Sequence, residues 1–98
     1  MLIVSQDKTE LINFSNIVRL GVSNNTQGQV LIEVHNFYDD FETVIGLYRT
    51  EERASEVLKE IAQCYANTEQ YKCICNTANA EFLNDLLENA FIYAMPEK

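Results

Sequence analysis

The sequence contains few of the residues from which catalytic and cofactor sites are usually built. Its 98 residues include one histidine, one proline, three glycines and no tryptophan. It has no G-x-G-x-x-G dinucleotide fingerprint, no glycine-rich P-loop and no G-x-S-x-G nucleophile motif. These absences predict a protein that is not an enzyme and that holds no cofactor.

The chain also lacks a long apolar run. The opening "MLIV" is much shorter than the ~20 apolar residues of a membrane helix, and it lacks the basic flank of a secretory signal. The three cysteines are an odd number, and no secretory signal accompanies them. We therefore expect a cytoplasmic protein with reduced thiols and no membrane contact.

The spacing of cysteine and histidine does not indicate a metal site. Zinc sites usually contain C-x₂₋₄-C pairs, whereas Cys73 and Cys75 form a single C-x-C pair, and Cys64 and His35 lie elsewhere. His35 follows Glu33 by two positions on a predicted strand, about 6.5–7 Å away, which is too far for a hydrogen bond by itself. We expect structural roles for these side chains, no metal and no catalytic residue.

Basic residues are scarce. Seven lysines and arginines stand against fifteen acidic residues, which gives a net charge of −8. Residues 1–30 contain two acids and two bases, so residues 31–98 carry the whole imbalance. Such a field repels nucleic acid, and we expect no direct nucleic-acid binding. The acidic surface either keeps the protein soluble or imitates nucleic acid in the groove of a basic protein.

Several short segments with alternating or β-branched apolar residues predict strands. They are "MLIVS", "ELINFSNIVRLGV", "QVLIEVHNF", "FETVIGLYR" and "FIYAM". The second segment predicts two short strands or one bulged strand. In the third, Val30, Ile32 and Val34 share one face. The short connections favour antiparallel neighbours, so we expect one antiparallel sheet of four or five strands.

One long helix is predicted over 51–66, with Thr50 as its cap and acidic residues in its first turn. "NTEQ" interrupts the helical pattern, "YKCIC" predicts a strand or an irregular link, and a shorter helix is predicted over about 79–90. We expect the long helix to pack across the sheet of a single α+β domain, 1–98. The apolar stripe that would make this contact consists of Ala54, Val57, Leu58, Ile61 and Tyr65.

Three arginines and three aromatic residues are candidates for ligand binding. Two of the arginines flank the corner between a predicted strand and the long helix, and the third lies within a strand. Guanidinium groups can clamp a phosphate or carboxylate, and an aromatic ring can stack on a base; the alternatives are salt bridges and core packing. The candidate residues are Arg49, Arg53, Arg19, Phe82, Tyr48 and Tyr71.

The stretches "MLIVSQDKTELINFSNI", "GLYRTEERASEVLKEI" and "YAMPEK" resemble small proteins encoded by phages and prophages. The resemblance covers about half of the chain. The overall build also resembles the Thoeris anti-defence family, whose members act as sponges: they sequester cyclic nucleotide immune signals in pockets between subunits. The stretch from Asn67 to Asn89 resembles those proteins least.

This resemblance implies a phage anti-defence protein that binds and sequesters a small cyclic nucleotide signal without catalysis. The ligand would be a cyclic ADP-ribose isomer or a cyclic oligonucleotide, held by a homo-oligomer in the host cytoplasm. The net charge supports a different hypothesis, an acidic inhibitor that occupies the nucleic-acid-binding groove of a CRISPR-Cas effector. A third possibility is a non-catalytic accessory phage protein.

Overall fold

The fold is α+β, as the sequence predicts. A computed structural model of the chain describes residues 1–36, 42–74 and 89–98. These residues contain strands β1 (Leu2–Val4), β2 (Leu11–Asn13), β3 (Ile17–Asn24), β4 (Val30–Asn36), β5 (Glu42–Tyr48) and β6 (Ile92–Ala94), a 3₁₀ turn (Phe14–Asn16) and one helix, α1 (Glu51–Ile74).

The strands form two sheets, so the prediction of one four- or five-stranded sheet is wrong. In one sheet β1 lies between β2, which is antiparallel to it, and β6, which is parallel to it. The other sheet is an antiparallel meander in the order β3-β4-β5. The 3₁₀ turn separates the sheets because the Asn13 side-chain oxygen accepts hydrogen bonds from the Ser15 amide and hydroxyl, at 3.1 and 2.8 Å. The segment "ELINFSNIVRLGV" is therefore two strands.

The core lies between the meander and α1. Val30, Ile32 and Val34 are buried on the inner face of β4, as their alternation predicts. Three residues of the predicted helix stripe are also buried: Ala54, Val57 and Ile61. Full burial of a side chain of this size contributes about 1.5–3 kcal/mol, so these contacts hold the helix on the sheet.

The outer members of the predicted stripe are less buried than its centre. Leu58 is only partly buried and packs against the edge of the core, and Tyr65 is 42% exposed. The Tyr65 ring lies 5.0 Å from the ring of Phe14. The stripe is therefore narrower than predicted. Ile3 of β1 and Met95, the residue after β6, also belong to the core.

The helix continues past the predicted end of 51–66 to Ile74. The polar stretch "NTEQ" remains helical because Thr68, although fully buried, satisfies its hydroxyl twice. The hydroxyl donates to the main-chain oxygen of Cys64 at 2.8 Å and accepts the amide hydrogen of Phe91 at 2.7 Å. "YKCIC" is helical as far as residue 74, which corrects the prediction of a strand or irregular link.

The shorter helix predicted over about 79–90 is not confirmed. Residues 75–88 lie outside the described residues, as do Cys75 and Phe82. Asn89 and Ala90, at the predicted end of that helix, form a turn and a bend that lead into β6. The predicted closing strand is present as Ile92–Ala94.

The side chain of Gln6 joins the two sheets. Its main-chain amide donates to the oxygen of Ile45 at 2.9 Å, and its side-chain amide pairs with both the N–H and the carbonyl of Leu47, at 2.7 and 2.9 Å. The same side-chain nitrogen donates to the main-chain oxygens of Pro96 and Glu97, at 3.2 and 2.9 Å. Gln6 therefore covers the outer edge of β5 and ties it to the segment after β6.

Candidate ligand-binding cleft on the outer face of the meander

Polar side chains converge on the face of the meander that points away from α1. Because alternate residues of a strand share a face, the residues between the buried valines and isoleucines of β4 point outward. The strand register places His35 beside Arg19 on one side and Glu42 on the other, and it places Glu33 beside Gly21. The outer face therefore carries a compact group of charged residues.

These residues line a cleft of about 220 Å³. The cleft is open beside Gly21, where an added Cβ atom would meet no heavy atom within 4 Å. The space lies directly beside Glu33, the cross-strand neighbour of Gly21. The cleft, as named below, is formed by Arg19, Gly21, Ser23, Glu33, His35 and Glu42.

Most polar groups of the cleft contact each other. Arg19 Nη2 lies 2.6 Å from Glu42 Oε1, and the hydroxyl of Ser23 donates to Glu33 Oε1. His35 Nδ1 lies 3.6 Å from the same Glu42 oxygen, which is longer than a hydrogen bond. The positive charge of Arg19 is therefore already shared with a carboxylate of its own chain.

The two carboxyl groups of the cleft belong to Glu33 and Glu42, which are diagonal neighbours on β4 and β5. Glu33 is the largest influence lowering the pKa of Glu42, and the charges of Arg19 and His35 lower it further. Carboxylates accept hydrogen bonds and have no donor of their own. When both are ionised they repel each other, and a donor placed between them relieves the repulsion. The pair is therefore an acceptor site for a hydrogen-bond donor.

The two arginines of the strand–helix corner do not form a clamp. Arg53 Nη1 lies 3.0 Å from Glu56 Oε2, and Arg53 Nε donates to the main-chain oxygen of Lys98 at 2.9 Å. The Arg53 amide donates to the Thr50 hydroxyl at 3.1 Å, which confirms Thr50 as the cap. Arg49 is exposed. For Arg53, as for Arg19, the structure shows the salt bridge that was the alternative to ligand binding.

The aromatic candidates are not grouped around the arginines. Tyr48 is buried in the core, 4% exposed, and its hydroxyl donates to the main-chain oxygen of Pro96 at 2.8 Å, so its ring is not available for stacking on a base. Tyr71, in the last turns of α1, makes an edge-to-face contact with Phe91 at 5.4 Å between ring centres. Phe82 lies outside the described residues. Of the five predicted residues that the structure describes, Arg19 alone is among those lining the cleft.

Sequence reasoning missed four polar residues of the cleft: Ser23, Glu33, His35 and Glu42. The alternation in "VLIEVHN" does place Glu33 and His35 on one face, but their spacing argues against a direct contact. The cross-strand register supplies the missing neighbour, Glu42, from a strand that begins six residues after β4 ends. A hairpin alignment of the two segments is the signal that could have found it.

The described residues contain no group of three or more histidine, cysteine or acidic side chains placed to hold a metal ion. Cys64 is buried and Cys73 exposed, and both are free thiols; burial raises the pKa of the Cys64 thiol. No helix within these ranges is both long and apolar enough to span a membrane. Comparison of the chain with family models, curated proteins and solved structures finds no match to any of them.

Proposed function

We propose that the protein is a non-catalytic binding protein that holds a small polar ligand in the cleft. The observation that carries this proposal is the cleft itself, in which the carboxyl groups of Glu33 and Glu42 lie on neighbouring strands beside Gly21. A pair of neighbouring carboxyl groups is most stable when a donor lies between them. The rest of the cleft surrounds that position with one guanidinium, one imidazole and one hydroxyl.

The charges of the cleft define the chemistry of the ligand. Its carboxyl pair favours hydroxyl or amino donors, while Arg19 is the only arginine or lysine among the lining residues and is already bound to Glu42. A ligand with several donors and no more than one anionic group therefore fits best. In the anti-defence role that the sequence resemblance implies, this would be a nucleotide signal. Its ribose hydroxyls or base amino group would bind the carboxyl pair, and a phosphate would exchange with Glu42 at Arg19.

The contacts within the cleft favour binding over catalysis. A nucleophilic serine needs a base to accept its proton, yet the Ser23 hydroxyl donates to Glu33 and not to His35. His35 is not within hydrogen-bond distance of Glu42, so this carboxylate does not orient the imidazole. The described residues thus offer hydrogen-bonding groups without the ordered relay of a hydrolase.

A second candidate function is the acidic inhibitor of a CRISPR-Cas effector. Glu51, Glu52 and Glu56 are exposed at the start of α1 and line one side of an open groove together with Lys59. Arg53, which lies nearby, forms a salt bridge with Glu56. An exposed row of carboxylates on a chain of net charge −8 suits a basic, nucleic-acid-binding surface.

Calorimetric titration distinguishes the two candidates. The ligands are adenosine, a cyclic ADP-ribose isomer and a cyclic dinucleotide, added to the parent protein and to Glu33→Gln, Arg19→Ala and Arg53→Ala. If the cleft is the site, at least one ligand binds the parent, the two cleft variants weaken it about tenfold or more, and Arg53→Ala binds like the parent. The tenfold figure corresponds to about 1.4 kcal/mol, a typical loss for a hydrogen bond to a charged group.

Two other results would contradict the proposal that the cleft is the ligand site. Binding that is lost in Arg53→Ala and retained in both cleft variants would place the ligand at the strand–helix corner. If no ligand binds while the protein inhibits a CRISPR nuclease, and charge reversal at Glu52 and Glu56 abolishes that inhibition, the second candidate is correct.

A further inference from the structure

Strand β3 forms one edge of the meander, and half of its main-chain groups point away from the molecule. In an antiparallel pair of strands, every second residue is hydrogen-bonded to its partner. The Asn25 amide donates to Gln29, so the next bonded pairs along the register are Ser23 with Leu31 and Gly21 with Glu33. The intervening residues, Leu20 and Val22, therefore direct their N–H and carbonyl groups to the free edge. An edge of this kind is a template for a further strand.

The other long edge of the meander is covered within the chain. Gln6 pairs with the outward-facing groups of Ile45 and Leu47 on β5. The edge of β6 lies beside α1, where the Cys64 thiol donates to the oxygen of Ile92 at 3.9 Å. In the described part of the chain, no main-chain hydrogen bond reaches the outward-facing groups of Leu20 or Val22. Among the residues that the structure describes, β3 is thus the longest strand edge left open.

The composition of this edge suits pairing with another strand. Residues 20–24, "LGVSN", contain no charge and no proline, the two devices that most often protect an edge. Val22 is 39% exposed and Val18 is 61% exposed, so apolar surface accompanies the unpaired groups. A bulge between Ile17 and Arg19 ends the regular part of the strand.

Charge points to a second copy of this chain as the occupant. The chain carries a net charge of −8, yet the single charged residue of β3 is Arg19, which is neutralised by Glu42 of the same chain. Two copies can therefore bring their β3 edges together without placing like charges opposite each other. An antiparallel edge is also complementary to itself across a two-fold axis, because each outward N–H meets an outward carbonyl.

We infer that the protein dimerises through β3, which pairs antiparallel with β3 of a second copy about a two-fold axis at Val22. The two meanders then form one six-stranded sheet. This register pairs Val22 with its own copy and Leu20 with Asn24 of the partner subunit. On the outer face it sets Gly21 opposite Ser23 of the partner subunit, so the partner supplies a hydroxyl to the open side of the cleft.

Hydrogen exchange of the unmodified protein tests the pairing. In a monomer, the amides of Leu20 and Val22 have no partner and exchange rapidly, whereas those of Gly21 and Ser23 are bonded to β4. The dimer predicts that Leu20 and Val22 become protected as protein concentration rises, in parallel with a mass, measured by light scattering, of twice 11.3 kDa. Fast exchange of both amides at every concentration would overturn the inference.

A charge at the axis provides a second test. Val22→Lys places two ammonium groups opposite each other and should give the monomer mass at concentrations where the parent is a dimer. Val44→Lys is the matched control, because Val44 is 45% exposed and lies on the meander away from β3, and it should remain dimeric. Circular dichroism verifies that both variants are folded. A parent that is a monomer, or a Val22→Lys protein that remains a dimer, contradicts the inference. A dimer lost equally in both variants places the interface elsewhere.

Discussion

At the scale of the residue, the hydroxyl of Tyr93 donates to Glu60 Oε2 at 2.8 Å, between β6 and α1. Burial is the main cause that raises the pKa of Tyr93, and the hydrogen bond to Glu60 raises it further. Tyr93 therefore keeps its proton to a higher pH in the folded protein than in the unfolded chain, whose tyrosines ionise at about pH 10. The stabilisation is complete below that pH and is lost as the pH rises toward the folded value.

This linkage predicts that Tyr93→Phe flattens the loss of stability in alkali. Urea unfolding at pH 9 and pH 11 should show a smaller decrease for the variant than for the parent, because phenylalanine has no proton to lose. Tyr65→Phe, at a 42% exposed position, is the control and should follow the parent. The same decrease in all three proteins would mean that Tyr93 ionises normally.

Thr68 gives a second prediction at this scale. Its buried hydroxyl serves Cys64 and Phe91 at once, so Thr68→Val, which keeps the shape, leaves the Phe91 amide without an acceptor. Leaving a buried donor unsatisfied costs about 1–3 kcal/mol. Equilibrium unfolding should show this loss, and Thr68→Ser should lose less because it keeps the hydroxyl. If the valine variant is as stable as the parent, the Thr68 hydroxyl is not what allows the helix to continue.

At the scale of the element, the contact between α1 and the meander depends most on the centre of the helix stripe. Ile61 is 1% exposed, whereas Leu58 is only partly buried at the rim of the core. Ile61→Ala should therefore lower the free energy of unfolding by about 2–5 kcal/mol, and Leu58→Ala by less. Thermal or urea unfolding of the two variants checks the order. If Leu58→Ala is the more destabilising, the helix is rotated relative to this description.

Local pattern was sufficient to predict most elements. The alternation of Val30, Ile32 and Val34 and the spacing of Ala54, Val57 and Ile61 arise within one strand and one helix, so the sequence contains their whole cause. Such periodicities correctly indicated the strands, the start of α1 and an α+β fold.

The features that were missed depend on residues distant in the chain. The helix continues because Thr68 binds Phe91, and the β2-β1-β6 sheet is completed by a parallel pairing of residues 2–4 with residues 92–94. The cleft exists because a bulged register in β5 brings Glu42 beside His35 and Arg19. None of these pairings has a periodic signal, so the sequence alone assigns Arg19 to a ligand, whereas Glu42 of another strand binds it.

The side chain of Gln6 affects the molecule as a whole, because it bridges both sheets and shields the β5 edge. Gln6→Ala removes four side-chain hydrogen bonds. A hydrogen bond of this kind contributes about 0.5–1.5 kcal/mol to the free energy of unfolding, and exposed bonds contribute least. We expect a stability loss of about 1–3 kcal/mol and a greater tendency to aggregate, since the edge becomes open. Gln27→Ala, in the exposed β3–β4 turn, should change neither unfolding nor light scattering.

At the scale of the molecule, two parts of the surface have distinct character. The outer face of the meander carries the cleft, and the start of α1 carries exposed carboxylates. Two of the three arginines are already bound to acids, at 2.6 Å for Arg19 and 3.0 Å for Arg53. The proposed ligand would therefore be selected by its donors in the cleft, and the basic macromolecule of the second candidate function by the acidic end of the helix.

The central claim, that the cleft is the ligand site, is tested most directly by NMR titration of ¹⁵N-labelled protein with adenosine and with a cyclic ADP-ribose isomer. The proposal predicts that the amides of Gly21, Glu33 and Glu42 shift progressively with at least one of them, while those of Arg49 and Arg53 do not move. Shifts confined to Arg49 and Arg53, or no shifts with either compound, would contradict it.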